Sequence, residues 1–163
     1  MSALPEHPKW RSLQEAVDRV DALRAAGNTI ALTNGCFDLL HPGHIYLLNR
    51  AAEFGGALFV ALNSCKSIQQ LKGPNRPIQT DRERAYAVGS LEAVDTIFTF
   101  DTPRLVKEIQ ALKPEHYCKA GDYTTETLDA SERQALEQCR TDTHFIPYLQ
   151  GYSTTQLINF LSP

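Results

Sequence analysis

Apolar residues first recur at helical spacing: Leu13, Ala16, Val17, Val20, Leu23 and Ala26 fall on one stripe, and Gly27 follows as a natural C-cap. The spacing predicts an N-terminal helix. The period then changes. Thr29–Thr33 and Ala57–Leu62 are short, largely apolar runs that predict buried strands, the second ending in Asn63-Ser64. Between them, Ile45–Phe54 predicts a helix closed by Gly55-Gly56. Lys72–Gln79, with Gly73, Pro74, Asn75 and Pro77, predicts a loop. A helix is expected from Asp81 to Leu91, with Thr80 or Asp81 as N-cap. Further on, Thr96–Phe100, Glu115–Cys118 and Thr143–Ile146 predict strands. Arg104–Leu112, Glu132–Arg140 and Ser153–Leu161 predict helices, the last opened by a Ser/Thr cap.

Strands alternating with helices predict an α/β fold, a Rossmann-like doubly wound parallel sheet of about five strands with helices on both faces. Ligands in such sheets bind beyond the carboxyl ends of the strands, where strand order reverses. Residues 1–28 are expected to form a helical extension packed on a domain spanning 29–163, with no repeat or linker that would divide it.

Composition narrows the partners. A chain of 163 residues is long enough to bury one core without staples. A net charge of −3 argues against a nucleic-acid binder that works by general electrostatics. No apolar run reaches the length of a membrane span, and the polar, proline-containing start lacks the apolar stretch of a signal peptide. Cys36, Cys65, Cys118 and Cys139 form no C-x-x-C pair and have no close His partners, so free thiols in a reducing cytoplasm are expected, with no protein-bound metal.

The chemistry concentrates in His41-Pro42-Gly43-His44, set between the first strand and the next helix. A helix start offers free N–H groups and the positive end of its dipole, which favour phosphate, and imidazoles there can donate to the same oxygens. Gly43 allows close approach without a Cβ, and Gly35 serves either a turn or a ligand. Lys72 and Arg76 sit on the Gly/Pro loop, where an ordinary charge would be solvated. Lys119 follows the fourth strand, a ligand-facing position. Gly121-Asp122 is a common turn, and Asp122 can also bind a sugar hydroxyl. Hydroxyls in Ser153-Thr154-Thr155 can cap a helix, and that helix start can also bind phosphate. Tyr148 and Tyr152 could stack on a base or sugar, but aromatic core packing is more usual and they are given no role.

Thr33-Asn34-Gly35-Cys36-Phe37-Asp38-Leu39-Leu40-His41-Pro42-Gly43-His44 resembles the signature turn of the cytidylyltransferase-like nucleotidyltransferases. Four further segments resemble, in order, the adenylyltransferase domain of bacterial ADP-heptose synthesis: Leu71–Ile78, Leu91–Asp95, Lys119–Tyr123 and Gly151–Thr155. The resemblance implies nucleotidyl transfer, in which a sugar-phosphate oxygen attacks the α-phosphorus of ATP and pyrophosphate leaves with Mg²⁺ assistance. It implies a nucleoside triphosphate and a phosphorylated small-molecule acceptor as partners, no nucleic acid or membrane, and a homodimer. His41, His44, Lys72 and Lys119 become the catalytic residues, with His44 at the α-phosphate and Lys72 reaching the phosphates once its loop closes. Asn34, Gly35, Cys36, Phe37, Gly43, Arg84, Ser153, Thr154 and Thr155 are implied to contact the nucleotide. Asp38, Arg76 and Asp122 are implied to contact the acceptor, although Asp38 also suits orienting the turn. Cys65 departs from the pattern, since relatives of the heptose type usually carry an aspartate there. Two alternatives stay open: a CTP-dependent enzyme acting on glycerol 3-phosphate or a similar alcohol phosphate, and a non-catalytic nucleotide-binding protein.

Overall fold

A computed structural model describes residues 4–121 and 123–161. Ser12 opens helix α1 (Leu13–Ala25) with a capping box: its hydroxyl accepts from the Glu15 amide, and the Glu15 carboxylate accepts from the Ser12 amide. Strand β1 (Ile30–Gly35) leads through a turn to α2 (Pro42–Ala52) and β2 (Ala57–Asn63). Then come α3 (Cys65–Lys72), α4 (Asp81–Gly89), β3 (Thr96–Phe100), α5 (Val106–Leu112) and β4 (His116–Ala120). The chain closes with α6 (Ala130–Cys139), β5 (Asp142–Ile146) and α7 (Thr154–Leu161).

The five strands form one parallel sheet in the order β3-β2-β1-β4-β5. From β1 the chain winds outward one way through β2 and β3, and then the other way through β4 and β5. The reversal opens a crevice beyond the carboxyl ends of β1 and β4. All seven residues of β2 are buried, as a strand covered on both faces requires.

Alternation along the strands feeds two cores. Ile30, Leu32, Phe59 and Phe98 pack with Ala16 and Val20 of α1, Ile109 of α5 and Leu136 of α6. Ala31, Leu58, Val60 and Ile97 pack on the other face with Leu48 of α2 and Val88 of α4. The N-terminal segment also reaches the sheet edge. Arg11 donates its amide to the Ile97 carbonyl at 2.8 Å, and Ile97 donates to the Lys9 carbonyl at 2.8 Å.

The structure adds one element to those expected, α3. Its eight residues carry a single buried apolar side chain, Ile68, so no stripe announces it; the Ser64 hydroxyl caps it by accepting from the Ser67 amide. Helix α2 starts at Pro42 rather than Ile45, because proline suits the first helical position. Thr80 is the N-cap of α4, again with a capping box to Glu83.

Candidate active site

After β1 the backbone makes a tight turn in which Phe37 (φ 46°) and Leu39 (φ 54°) adopt left-handed conformations. The Phe37 ring folds back beneath Gly35, where a Cβ would stand 2.9 Å from it. That is why glycine ends the strand. The ring is 2% exposed and lies 5.3 Å from the His44 ring, centroid to centroid.

His41 is the residue before α2, with an extended backbone and no side-chain cap. Its ring stacks on His44 at 3.8 Å and 23°. Gly43 permits this, since a Cβ there would meet the His41 ring at 3.0 Å. The Nδ1 atoms of both rings are buried and have no hydrogen-bond partner in the protein. Burial, helped by the neighbouring His41 and Lys72 charges, lowers the His44 pKa to about 4 against an opposing pull from Asp38. Burial lowers His41 as well. Both imidazoles are therefore neutral near pH 7.

The crevice holds two adjoining cavities, of about 290 and 220 Å³. Asn34, Gly35, Cys36, Phe37, Asp38 and Lys119 line the first. His41, Gly43, Ser153 and Thr155 line the second. His44, Lys72 and Thr154 line both, and so stand at the junction. Lys72, the last residue of α3, lines both cavities. At α7 the Ser153 hydroxyl accepts from the Gln156 amide at 3.1 Å. Thr154 Oγ1 donates to the Asp38 carbonyl at 2.9 Å, tying α7 to the turn.

Other expected residues receive different duties. The Asp38 carboxylate has no exposed surface and accepts from the Ile78 amide (2.9 Å), the Gln79 amide (3.0 Å) and Arg76 Nε (3.0 Å). It anchors the loop, which leaves neither Asp38 nor Arg76 free for the acceptor contact expected of them. Arg84 corrects its expected nucleotide contact. It is fully buried and lines neither cavity; Nη1 donates to the Cys36 carbonyl at 2.6 Å and Nη2 pairs with Asp81. It supports the turn from beneath. Asp122 lies outside the described residues.

Cys65 opens α3, and its amide donates to Asp81 Oδ1 at 2.7 Å. Asp81 Oδ1 thus lies between the Cys65 amide and the Arg84 guanidinium. Burial and then Asp81 push the Cys65 thiol pKa up, so it stays neutral.

The lining residues that had been given no role include Asn63, Leu47, Tyr123, Tyr148 and Tyr152. Asn63 had a legible signal, a polar side chain at the carboxyl end of a buried strand. Tyr148 is 61% exposed at the wall of both cavities, beside Gly121, where a Cβ would meet its ring at 2.6 Å. Among the described residues no group of three or more metal-ligating side chains gathers, and no helix is long and apolar enough to cross a membrane.

Comparison with known proteins agrees with this geometry. The chain is 41% identical over 142 residues to the bifunctional protein HldE of Hyphomonas neptunium, covering 87% of this chain and 29% of that protein. With the HldE of Helicobacter pylori it shares 40% over 152 residues, 93% of this chain and 31% of the relative. With that of Gluconobacter oxydans it shares 35% over 158 residues, 97% and 33%. The chain therefore spans about a third of the length of these relatives. The crystal structure of the lipopolysaccharide core biosynthesis protein from Thermoplasma volcanium superposes with a TM-score of 0.61 at 23% identity, covering 78% of this chain and all of that one, which shows a shared fold. Residues 32–160, from β1 into α7 and so including the stacked histidines and both cavities, match the cytidylyltransferase-like family. The chain belongs to that family of nucleotidyltransferases.

Proposed function

We propose that this chain transfers the adenylyl group of ATP to a sugar 1-phosphate, heptose 1-phosphate being the acceptor, with release of pyrophosphate. One observation carries the reading: two cavities meet at His44, Lys72 and Thr154, so two ligands can be held against each other at one junction. The ordered resemblance of four segments to the adenylyltransferase domain of ADP-heptose synthesis supports the choice of nucleotide and acceptor.

In this reading the triphosphate occupies the second cavity, along the Ser153–Thr155 turn and the start of α2, which reassigns Asn34, Gly35, Cys36 and Phe37, all lining the first cavity, from the nucleotide to the acceptor side. The acceptor phosphate occupies the first cavity and attacks the α-phosphorus in line, and the bond to the β,γ-pyrophosphate breaks. The reaction needs positioning and charge stabilisation more than covalent help. A neutral His44 donates one ring N–H to an α-phosphate oxygen and keeps it through the transition state. A preorganised donor of this kind is worth roughly 2–4 kcal/mol. Lys72 at the junction opposes the charge that gathers on the bridging oxygen. Mg²⁺ would arrive on the triphosphate and balance its charge.

The test is incubation with ATP, Mg²⁺ and heptose 1-phosphate. Pyrophosphate and an ADP-sugar are the expected products, and no product at high enzyme concentration rejects the reading. Replacing His44 by Ala is expected to lower kcat by about 10²–10³ with little loss of ATP affinity. The family's description keeps CTP in view; a larger thermal shift with CTP than with ATP would overturn the choice of nucleotide.

A further inference from the structure

The first cavity has a buried ion pair in its wall. Lys119, at the carboxyl end of β4, keeps 16% of its side chain exposed, and Glu132, in the first turn of α6, keeps 5%. Lys119 Nζ lies 4.0 Å from Glu132 Oε2. It also donates to Asn34 Oδ1 at 3.1 Å and to the Tyr117 hydroxyl at 3.3 Å. Tyr117 donates to the same Asn34 oxygen at 2.8 Å. Glu132 is itself fixed, because its other oxygen accepts from the Leu105 amide at 3.0 Å.

A buried ammonium is retained only where an opposite charge and hydrogen-bond acceptors meet it. Here both are supplied from elements far apart in sequence. We propose that Glu132 is a positioning residue that holds the Lys119 ammonium at the wall of the first cavity as the cation for an anionic acceptor, a phosphorylated small molecule. The identity of the acceptor rests on the proposed transfer reaction; the duty of Glu132 toward Lys119 rests on the geometry alone.

The charged and titratable groups around Lys119 act on it in both directions. Glu132 and Asp129 from the α6 side and Cys36 from the turn favour the protonated amine, while burial, the largest influence, and Arg104 oppose it, so that the pKa lies below its ordinary value. Asp129 is also paired with Arg104 at 2.7 Å, which leaves Glu132 as the nearer counter-charge. The phenols of Tyr117 and Tyr123 complete the surroundings, the Tyr123 ring lying 5.4 Å from Nζ.

Protein carrying ¹³C at lysine Cε, with the Lys119 signal assigned through Lys119→Arg, reports this directly. Glu132→Gln is the variant of choice, since the amide still accepts from Leu105 while its charge is gone. The Lys119 titration midpoint is expected to fall by about one pH unit or more in Glu132→Gln. Inorganic phosphate is expected to raise the midpoint in the unaltered protein and to raise it less in the variant. In the transfer assay KM for the acceptor is expected to rise about tenfold with KM for ATP unchanged, and the alkaline limb of the kcat/KM profile to move to lower pH. Should Glu132→Gln fail to fold, Glu132→Asp keeps the charge at a longer reach and is expected to shift the midpoint by a smaller amount in the same direction. An unmoved Lys119 midpoint in the variant, or no response to phosphate in the unaltered protein, overturns the proposal. Failure of the unaltered protein to form an ADP-sugar counts against the transfer reading only, because the lysine titration needs no turnover.

Discussion

His41 and His44 stack face to face with buried, unpartnered Nδ1 atoms, an arrangement that costs stability and is repaired when polar ligand atoms arrive. The same burial makes the pair a source of pH dependence. Unfolded, His44 takes up a proton near pH 6.5; folded, near pH 4. Below pH 6.5 the unfolded chain binds the proton that the folded chain refuses, so stability falls as pH drops through this window. The loss attributable to His44 is about 2 kcal/mol by pH 5. Urea unfolding at pH 7.5 and pH 5.0 is expected to show it, and His44→Gln is expected to shrink the difference by about that amount. Equal pH dependence in the two proteins would contradict the burial of this imidazole. That two histidines three apart stand together between a strand and a helix was legible. Their stacking was not, because it depends on Gly43 leaving room for the His41 ring.

Among the elements, the Asp38-anchored loop and the short helix before it control where Lys72 stands. Three donors from the loop converge on one buried carboxylate, so the segment 73–80 is fastened to the turn that carries the histidines. Asp38→Asn keeps the shape but leaves the largely buried Arg76 without its counter-charge. Unfolding free energy is expected to drop by about 3 kcal/mol, the usual scale for breaking a buried pair, and proteolysis within 73–80 to accelerate. A change under about 0.5 kcal/mol, with cutting unchanged, would mean the loop is held by something else. The sheet and most helices were legible because their apolar spacing is unambiguous, as along α1, and because Thr80 and Glu83 spell out a capping box at α4. Helix α3 was not legible. It is short, Leu71 is exposed, and its anchors are polar: Ser67 donates its hydroxyl to the Thr102 carbonyl at 3.1 Å. Arg84 misled for a related reason. A cation on a helix near phosphate chemistry suggests direct contact, yet long-range packing turned it inward onto the Cys36 carbonyl.

At the scale of the whole molecule, the parallel sheet brings to one crevice residues that the chain keeps far apart. Thr154 and Asp38 are 116 positions apart in sequence and 2.9 Å apart in space. Contacts of that separation explain why the sequence names the cleft's parts but not their division into two cavities. The division bears on mechanism. If both ligands bind side by side at His44 and Lys72, the adenylyl group passes directly between them and no adenylylated protein forms. Initial rates with both substrates varied are then expected to give intersecting reciprocal plots. Labelled pyrophosphate is expected not to exchange into ATP until the acceptor is added. A single in-line displacement also inverts the α-phosphorus, so chiral α-thio-ATP is expected to yield product of inverted configuration. Retention, together with exchange in the absence of acceptor, would require a covalent intermediate on the protein, and the stacked imidazoles at the junction would then be nucleophile candidates rather than hydrogen-bond donors.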